Sequence, residues 1–364
     1  MFIKTLILAL FIIFQGSKSF AAFYEIKTLE SINQLTQSPK VKGFAFVVTD
    51  HEGDIMFQKY HGYGNPERKM RVSKRTMFES GSLAKMFTAI AIAKLEANNQ
   101  INPKNPASQY LPKQYSFLPK KITVSDLIHH TSGIPDYLNL AALELNQMVA
   151  NQTYVTNDWV LQYIKSHKIN KEEVGVKFQY SNSNYVLLAE MIENVSGMKY
   201  EDFMLEFVFR PAGMKHAFVR QKSTKYDVYE AKPYYENVKV DNKYYYMTKG
   251  DFGIQFSIED MIAFVKYIDQ NEYIKNILLD DHGKYGYGYG IRHEKIGVFD
   301  VIYHKGMIKG AMNFFSYNTE NKTFAIYLTT ASDLADNQVI NQKMKAIISD
   351  VEAVLIGLEI ADGW

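Results

Sequence analysis

Apolar and polar positions along this chain repeat at two periods, two residues in some stretches and three to four in others, so strands and helices are both predicted. Residues 43–49 (Gly-Phe-Ala-Phe-Val-Val-Thr) and 55–60 (Ile-Met-Phe-Gln-Lys-Tyr) read as strands, and the intervening Asp50-His-Glu-Gly-Asp54 makes them a hairpin. Beyond Ser80-Gly81 the apolar residues Leu83, Met86, Phe87, Ile90, Ala91 and Leu95 keep helical spacing. This predicts a helix with one buried face, ending near Asn98-Asn99 and before Pro103. From there to residue 282 the pattern is helical pieces (156–165, 184–195, 257–268) broken by Gly and Pro, with sparse strand signals. Strands return at 285–293, 298–304, 312–317 and 323–329. Short helices are expected at 30–35 and, longer and amphipathic, from about 339 to 358. The sum is an α+β (α/β sandwich) architecture. An antiparallel sheet is built from both chain ends, residues 22–96 and 283–364, flanked by N- and C-terminal helices, and a mostly helical domain, 97–282, is inserted between them.

The first 21 residues stand apart from this pattern. Lys4 provides a positive start, Leu6 to Phe14 an apolar run, and Ser19-Phe20-Ala21 a small-x-Ala cleavage site, so residues 1–21 read as a secretory signal and the chain as exported, periplasmic or secreted. The run is shorter than the roughly 20 residues needed to span a bilayer, and no other stretch reads as a membrane helix. Cleavage removes two of the 41 basic residues and none of the 39 acidic ones, leaving a net charge of zero. That balance gives no footprint for nucleic acid. The absence of cysteine excludes disulfides and thiolate chemistry.

Among residues able to do chemistry, Ser82-Leu83-Ala84-Lys85 places a hydroxyl and an amine three positions apart at a helix start, on one face. A serine hydroxyl needs a neighbouring base or cation before it attacks a carbonyl, and Lys85 can be either. Backbone N–H groups at the helix N-terminus favour developing negative charge. Taken alone, the same four residues are equally those of a helix-capping serine beside an exposed lysine. A second match, Ser196-Gly-Met-Lys199, contains Gly197 and reads as a helix stop.

Several segments in order lift the first match above chance. The stretch from Phe78 to Phe87 around Ser82, the stretch Ile122 to Tyr137 containing His130-Thr-Ser-Gly133, Phe178-Gln-Tyr-Ser-Asn182, Pro211-Ala-Gly-Met214, and His304-Lys-Gly306 follow one another along the chain. In this order they resemble the motifs of the serine β-lactamase-related, penicillin-binding-protein-like family: class C β-lactamases, DD-peptidases, D-aminopeptidases and related esterases. The resemblance spans roughly residues 43 to 330. It implies Ser82 as nucleophile, Lys85 as its activating partner and Tyr180 as general base. It further implies Asn182 orienting the substrate amide or Lys85, His304 and Gly306 at the substrate, and the backbone N–H groups of Ser82 and Met307 as the oxyanion hole.

Tyrosine is a poor base at its usual pKa of about 10, so this role requires nearby cations, Lys85 first among them. His304 stands where β-lactamases and DD-peptidases usually carry lysine. A largely neutral imidazole attracts a substrate carboxylate less than an ammonium does. Lys305 replaces a usual hydroxyl residue, and strand alternation directs it away from His304.

The implied activity is acyl transfer from an ester or amide, whether peptide or lactam, to water, on a small-molecule or peptide substrate. The alternatives are a transacylase on the same fold and a catalytically silent relative binding cell-wall peptide or a partner. No cofactor and no metal is expected: His129-His130 lacks a third ligand at suitable spacing, and His130 reads as a hydrogen-bonding structural histidine. Gly286-Tyr-Gly-Tyr-Gly290 reads as an aromatic strand leading to His304. Tyr234, Tyr235 and Tyr244 to Tyr246 are candidates for a cleft wall, core or surface alike.

Overall fold

The structure is a computed structural model that describes residues 42–224, 229–235, 238–240, 247–279, 285–296, 299–320 and 322–330. The expected leader, the helices at 30–35 and 339–358, and Tyr244 to Tyr246 lie outside the described residues.

Strand β1 (Gly43–Thr49) is buried along its whole length, as its unbroken apolar run requires of a strand covered on both faces. It pairs on one side with β2 (Ile55–Asn65), the other arm of the expected hairpin, and on the other with the last described strand, β12 (Thr323–Thr329). The first and last described strands thus meet at the register Phe44↔Thr329. With β3 (Met70–Arg71), β9 (Arg292–Ile296), β10 (Phe299–Ile308) and β11 (Ala311–Asn318), the main antiparallel sheet runs β3-β2-β1-β12-β11-β10-β9. Alternation sorts its side chains: Ala45, Val47, Ile326 and Leu328 join the large core, while Phe44 and Phe46 pack with Tyr327 on the opposite face.

A small sheet of β4 (Phe78–Glu79), β5 (Phe218–Val219) and β8 (Ile254–Phe256), in the order β4-β8-β5, carries the chain into the helical part. β6 (Tyr234–Tyr235) and β7 (Val238–Lys239) form a two-stranded ribbon, with Tyr234 bonded through its N–H to Thr330. Helix α1 (Ala84–Ala97) differs from the one-faced helix expected. Every residue from Ala84 to Ala93 is buried, including Lys85 and Thr88. The small alanines let neighbouring elements approach on every side, and Thr88 Oγ1 lies 2.7 Å from both the Gly250 carbonyl and the Tyr200 hydroxyl.

Among the described residues the remaining α-helices are α2 (Val124–Ile128), α3 (Tyr137–Leu140), α4 (Ala142–Ala150), α5 (Asn157–Ser166), α6 (Asn182–Ser196), α7 (Tyr200–Phe203), α8 (Ile258–Gln270) and α9 (Glu272–Leu279). Capping boxes start α2 (Thr123 with Asp126) and α8 (Ser257 with Asp260), and left-handed Gly197 stops α6, so the second serine–lysine match is a helix end. Helix α8, read from sequence with the inserted part, lies against the main sheet, with Phe264 6.2 Å from Phe315. Among the described residues no helix is long and apolar enough to cross a membrane.

One strand expectation fails. Residues 285–291 are a looped segment rather than a strand, and β9 begins only at Arg292. Gly286 and Gly290 hold left-handed angles there, and a β-carbon on Gly290 would sit 2.5 Å from the Lys85 carbonyl oxygen. The glycines let this loop lie directly on α1.

Candidate active site

Ser82 sits in a short 3₁₀ turn, Gly81–Leu83, between β4 and α1. The turn is wedged against β10: a β-carbon on Gly306 would lie 1.9 Å from the Ser80 carbonyl oxygen, and one on Gly81 would lie 2.8 Å from the Met307 nitrogen. Only glycine fits at both places, and the fit brings the backbones of the Ser82 turn and Met307 side by side. As a first-turn residue Ser82 has an N–H with no partner inside its helix, the property an oxyanion donor requires. Behind the turn, Glu79 is paired with buried Arg220, which also pairs with Glu230, and the Glu79 carbonyl accepts a hydrogen bond from Asn313.

Lys85, one helical turn beyond Ser82, is fully buried, whereas Ser82 is 8% exposed, so the hydroxyl is the group a substrate reaches. The Lys85 Nζ donates to Ser82 Oγ at 3.0 Å, to Asn182 Oδ1 at 2.8 Å and to the Asp251 carbonyl at 3.2 Å. Three N–H donors answer three acceptors. Asn182 arrives as the first residue of α6, directly after Tyr180-Ser181.

The half-buried Tyr180 approaches Lys85 through its ring, whose centre lies 5.3 Å from Nζ. Beneath it the His130 ring is 4.3 Å away. The His130 Nδ1 accepts from the Ser181 N–H and the Asn184 amide, each at 3.2 Å, which places its proton on Nε2. Burial, with Lys85 next in effect, holds His130 well below the usual histidine range, so it is neutral and serves as the hydrogen-bonded floor under Tyr180.

The structure gives His304 a different place from the one expected of a substrate contact. It is 3% exposed, and both ring nitrogens are engaged: Nδ1 faces the Lys305 carbonyl at 2.8 Å, and Nε2 accepts from the Tyr287 hydroxyl at 3.0 Å. Burial, then Lys85 and Arg292, keeps its pKa well below the usual range, in line with the neutral imidazole expected. Lys305 turns to the other face, with Nζ 5.4 Å from the Tyr303 ring centre.

Two groups were not legible as site residues. Arg292 carries a guanidinium 5.6 Å from the Tyr180 ring centre and 5.3 Å from that of Tyr287. Asp251 brings a carbonyl to Lys85 across 166 positions of sequence. Arg292 follows the misread glycine-tyrosine loop, and Asp251 lies in an irregular segment with no period to mark it.

Comparison with known proteins bears on this constellation. Residues 30–347 match the Beta-lactamase family model. The chain belongs to the β-lactamase family. Among curated relatives it is 25% identical over 341 residues to penicillin-binding protein 4* of Bacillus subtilis, covering 85% of this chain and 72% of that one. It is 27% identical over 297 residues to a D-aminopeptidase of Cereibacter sphaeroides, covering 78% of this chain and 55% of the relative. For a putative penicillin-binding protein, PbpX of Bacillus subtilis, the chain spans about half the relative's length, 49%. Among solved structures, an octameric penicillin-binding protein homologue from Pyrococcus abyssi aligns with a TM-score of 0.70 at 25% identity, over 85% of this chain and 73% of that one. A D-amino acid amidase from Ochrobactrum anthropi SV3 aligns at 0.74 with 18% identity, over 90% and 99%, a likeness of fold. The α+β architecture read from the sequence is that of this family, and hydrolases are among its relatives.

Proposed function

We propose that this β-lactamase-family chain is an exported serine hydrolase working through an acyl-enzyme on Ser82. The observation that carries the reading is the 3.0 Å contact between Ser82 Oγ and a buried lysine amine. As Ser82 Oγ bonds to an ester or amide carbonyl carbon, its proton passes to Tyr180 acting as a phenolate, while the Lys85 N–H holds the serine oxygen in line, and the carbonyl oxygen gains negative charge. The N–H groups of Ser82 and Met307 receive that charge. Collapse breaks the bond to the leaving group, which takes the proton, and the acyl group remains on Ser82. A water then gives a proton to Tyr180, attacks the acyl carbon and releases the acid, restoring the Ser82 hydroxyl.

Charge around the machinery supports a substrate class. Lys85 and Arg292 are cations, while the carboxyls coupled to Lys85, Asp136 and Asp251, are 5% and 0% exposed and offer a substrate ammonium nothing. Acyl donors without a free α-ammonium suit this field.

Intact-protein mass spectrometry after exposure to a fluorophosphonate or penicillin is expected to show one adduct on the wild type and none on Ser82→Ala. An adduct that persists without Ser82 sinks the assignment. In the same preparations, N-acetylated D-amino-acid esters are expected to turn over faster than the free-amine esters. Export is checked separately: sequencing of the protein recovered from outside the cytoplasm is expected to begin at Ala22, and an intact Met1 there removes the leader reading.

A further inference from the structure

Of the three acceptors around the Lys85 amine, one is the nucleophile itself. The other two, Asn182 Oδ1 and the Asp251 carbonyl, come from segments far apart in sequence, and both are held from a single dipeptide. Asp136 receives the Asn182 N–H at 3.0 Å and its Nδ2 at 3.0 and 3.2 Å through the two carboxylate oxygens. A carboxylate only accepts, so it draws the NH₂ end of the Asn182 amide and turns the Oδ1 end toward Lys85. The neighbouring Tyr137, fully buried, donates its hydroxyl to Asp251 Oδ2 at 2.7 Å, with Thr248 Oγ1 at 3.2 Å. Burial, then the adjacent Asp251 charge, raises the Tyr137 phenol far above the usual range, so it stays protonated and remains a donor. The dipeptide is itself braced on α6: the Tyr137 N–H donates to Ser183 Oγ at 3.2 Å, and the Ser183 hydroxyl donates to the Pro135 carbonyl at 2.7 Å.

We infer that Asp136-Tyr137 is a clip that positions Lys85 for proton transfer, Asp136 by orienting the Asn182 amide and Tyr137 by anchoring Asp251, whose backbone carbonyl holds the same amine. The inference rests on the proposed Ser82–Lys85 chemistry and assigns the residues that set its geometry. Asp136, Tyr137 and Asp251 are positioning residues and touch no reacting atom. Against the burial that raises both carboxyls, Lys85 lowers their pKa, while its three N–H groups go to Asn182 Oδ1, the Asp251 backbone carbonyl and Ser82 Oγ.

The test compares Asp136→Asn, Tyr137→Phe and Asp251→Asn with the wild type. In each variant kcat for a p-nitrophenyl ester is expected to fall ten- to a hundredfold, in the range of lost orienting contacts, with KM changed less than about threefold. Asp136→Asn acts by letting the Asn182 amide turn its NH₂ to Lys85, and Tyr137→Phe removes one oxygen only. Asp251→Asn is expected to resist urea better than the wild type at pH 7 while losing activity, a combination that a merely structural residue does not give.

A second readout is independent of turnover. The Lys85 Nζ–H cross-peak, assigned by its disappearance in Lys85→Arg, is expected in the ¹⁵N-lysine spectrum of the wild type and broadened beyond detection in Tyr137→Phe and Asp136→Asn. Folded variants within twofold of wild-type kcat, or with an unchanged Lys85 cross-peak, overturn the clip. A wild type that forms no Ser82 adduct yet shows the cross-peak changes overturns the hydrolase reading and leaves the clip standing.

Discussion

A Lys85→Met variant is expected to lose turnover by on the order of 10³-fold while retaining its fold. Methionine matches the length of the lysine stem and fits a site closed on all sides by Ser82, Asn182, Asp251 and the rings of Tyr180, Tyr185 and Phe252. Losing the amine strands two buried acceptors, Asn182 Oδ1 and the Asp251 carbonyl, at about 1–3 kcal/mol each. Against that stands the removal of a fully buried amine, so the net change in stability is small beside the change in rate. Without the amine, Ser82 Oγ loses the N–H that steers its proton toward Tyr180, and Tyr180 loses the cation 5.3 Å from its ring centre. Single-turnover release of p-nitrophenol measures the step directly. A Lys85→Met protein that keeps more than a tenth of the wild-type acylation rate removes Lys85 from the mechanism.

The second large effect concerns stability and its dependence on pH. Asp251 is fully buried, and burial pushes its carboxyl up to about 6, with Lys85 the first influence pulling it back. The sign follows from proton counts. Between the ordinary value of 3.8 and about 6 the folded protein holds a proton at Asp251 that the unfolded chain has released, so stability falls as pH rises through that window. The gap from 3.8 to about 6 corresponds to roughly 3 kcal/mol, absent below pH 4 and fully felt above pH 6. Asp251→Asn has no proton to lose. Its urea midpoint is therefore expected to match the wild type at pH 4 and exceed it increasingly up to about pH 7, by the equivalent of 1–3 kcal/mol. A variant less stable than the wild type at pH 7 refutes the buried-charge account. The stability given up at neutral pH is consistent with a charge kept for the site it supports.

Local sequence carried a good deal of this. The boundaries of β1 and β12 coincide with the segments read from sequence, because strands buried along their whole length carry unbroken apolar runs, edged only by β-branched threonines that strands favour. The Ser82–Lys85 contact follows from three positions of helical spacing, a distance set by backbone geometry alone. The ordered motifs placed Tyr180 and Asn182 in one short stretch, and the structure brings both to Lys85.

Other features were decided only by packing. The period of three and four in α1 announced one buried face, yet the helix is enclosed all round as far as Ala93, because periodicity reports which residues are apolar and not how many neighbours arrive. The 285–291 segment alternates like a strand but loops, since Gly290 must pass over the Lys85 carbonyl where no β-carbon fits. His304 sits at the expected place in β10, but Tyr287 claims its free nitrogen.

The sequence by itself determined that strands from its early and late parts share one antiparallel sheet and that one helical turn carries a serine and a lysine on one side; that Gly81 and Gly306 let turn and strand touch emerged only from the tertiary structure. The tertiary structure alone decided what surrounds the Lys85 amine: a carbonyl from Asp251, an amide steered by Asp136, and Arg292 over the Tyr180 ring. Spacing along a helix is a property of the backbone and can be read from a few residues. The electrostatic setting of a buried amine is the sum of groups from distant parts of the chain, Asp251 being 166 positions away and Arg292 farther still, and it exists only once the chain has closed around it.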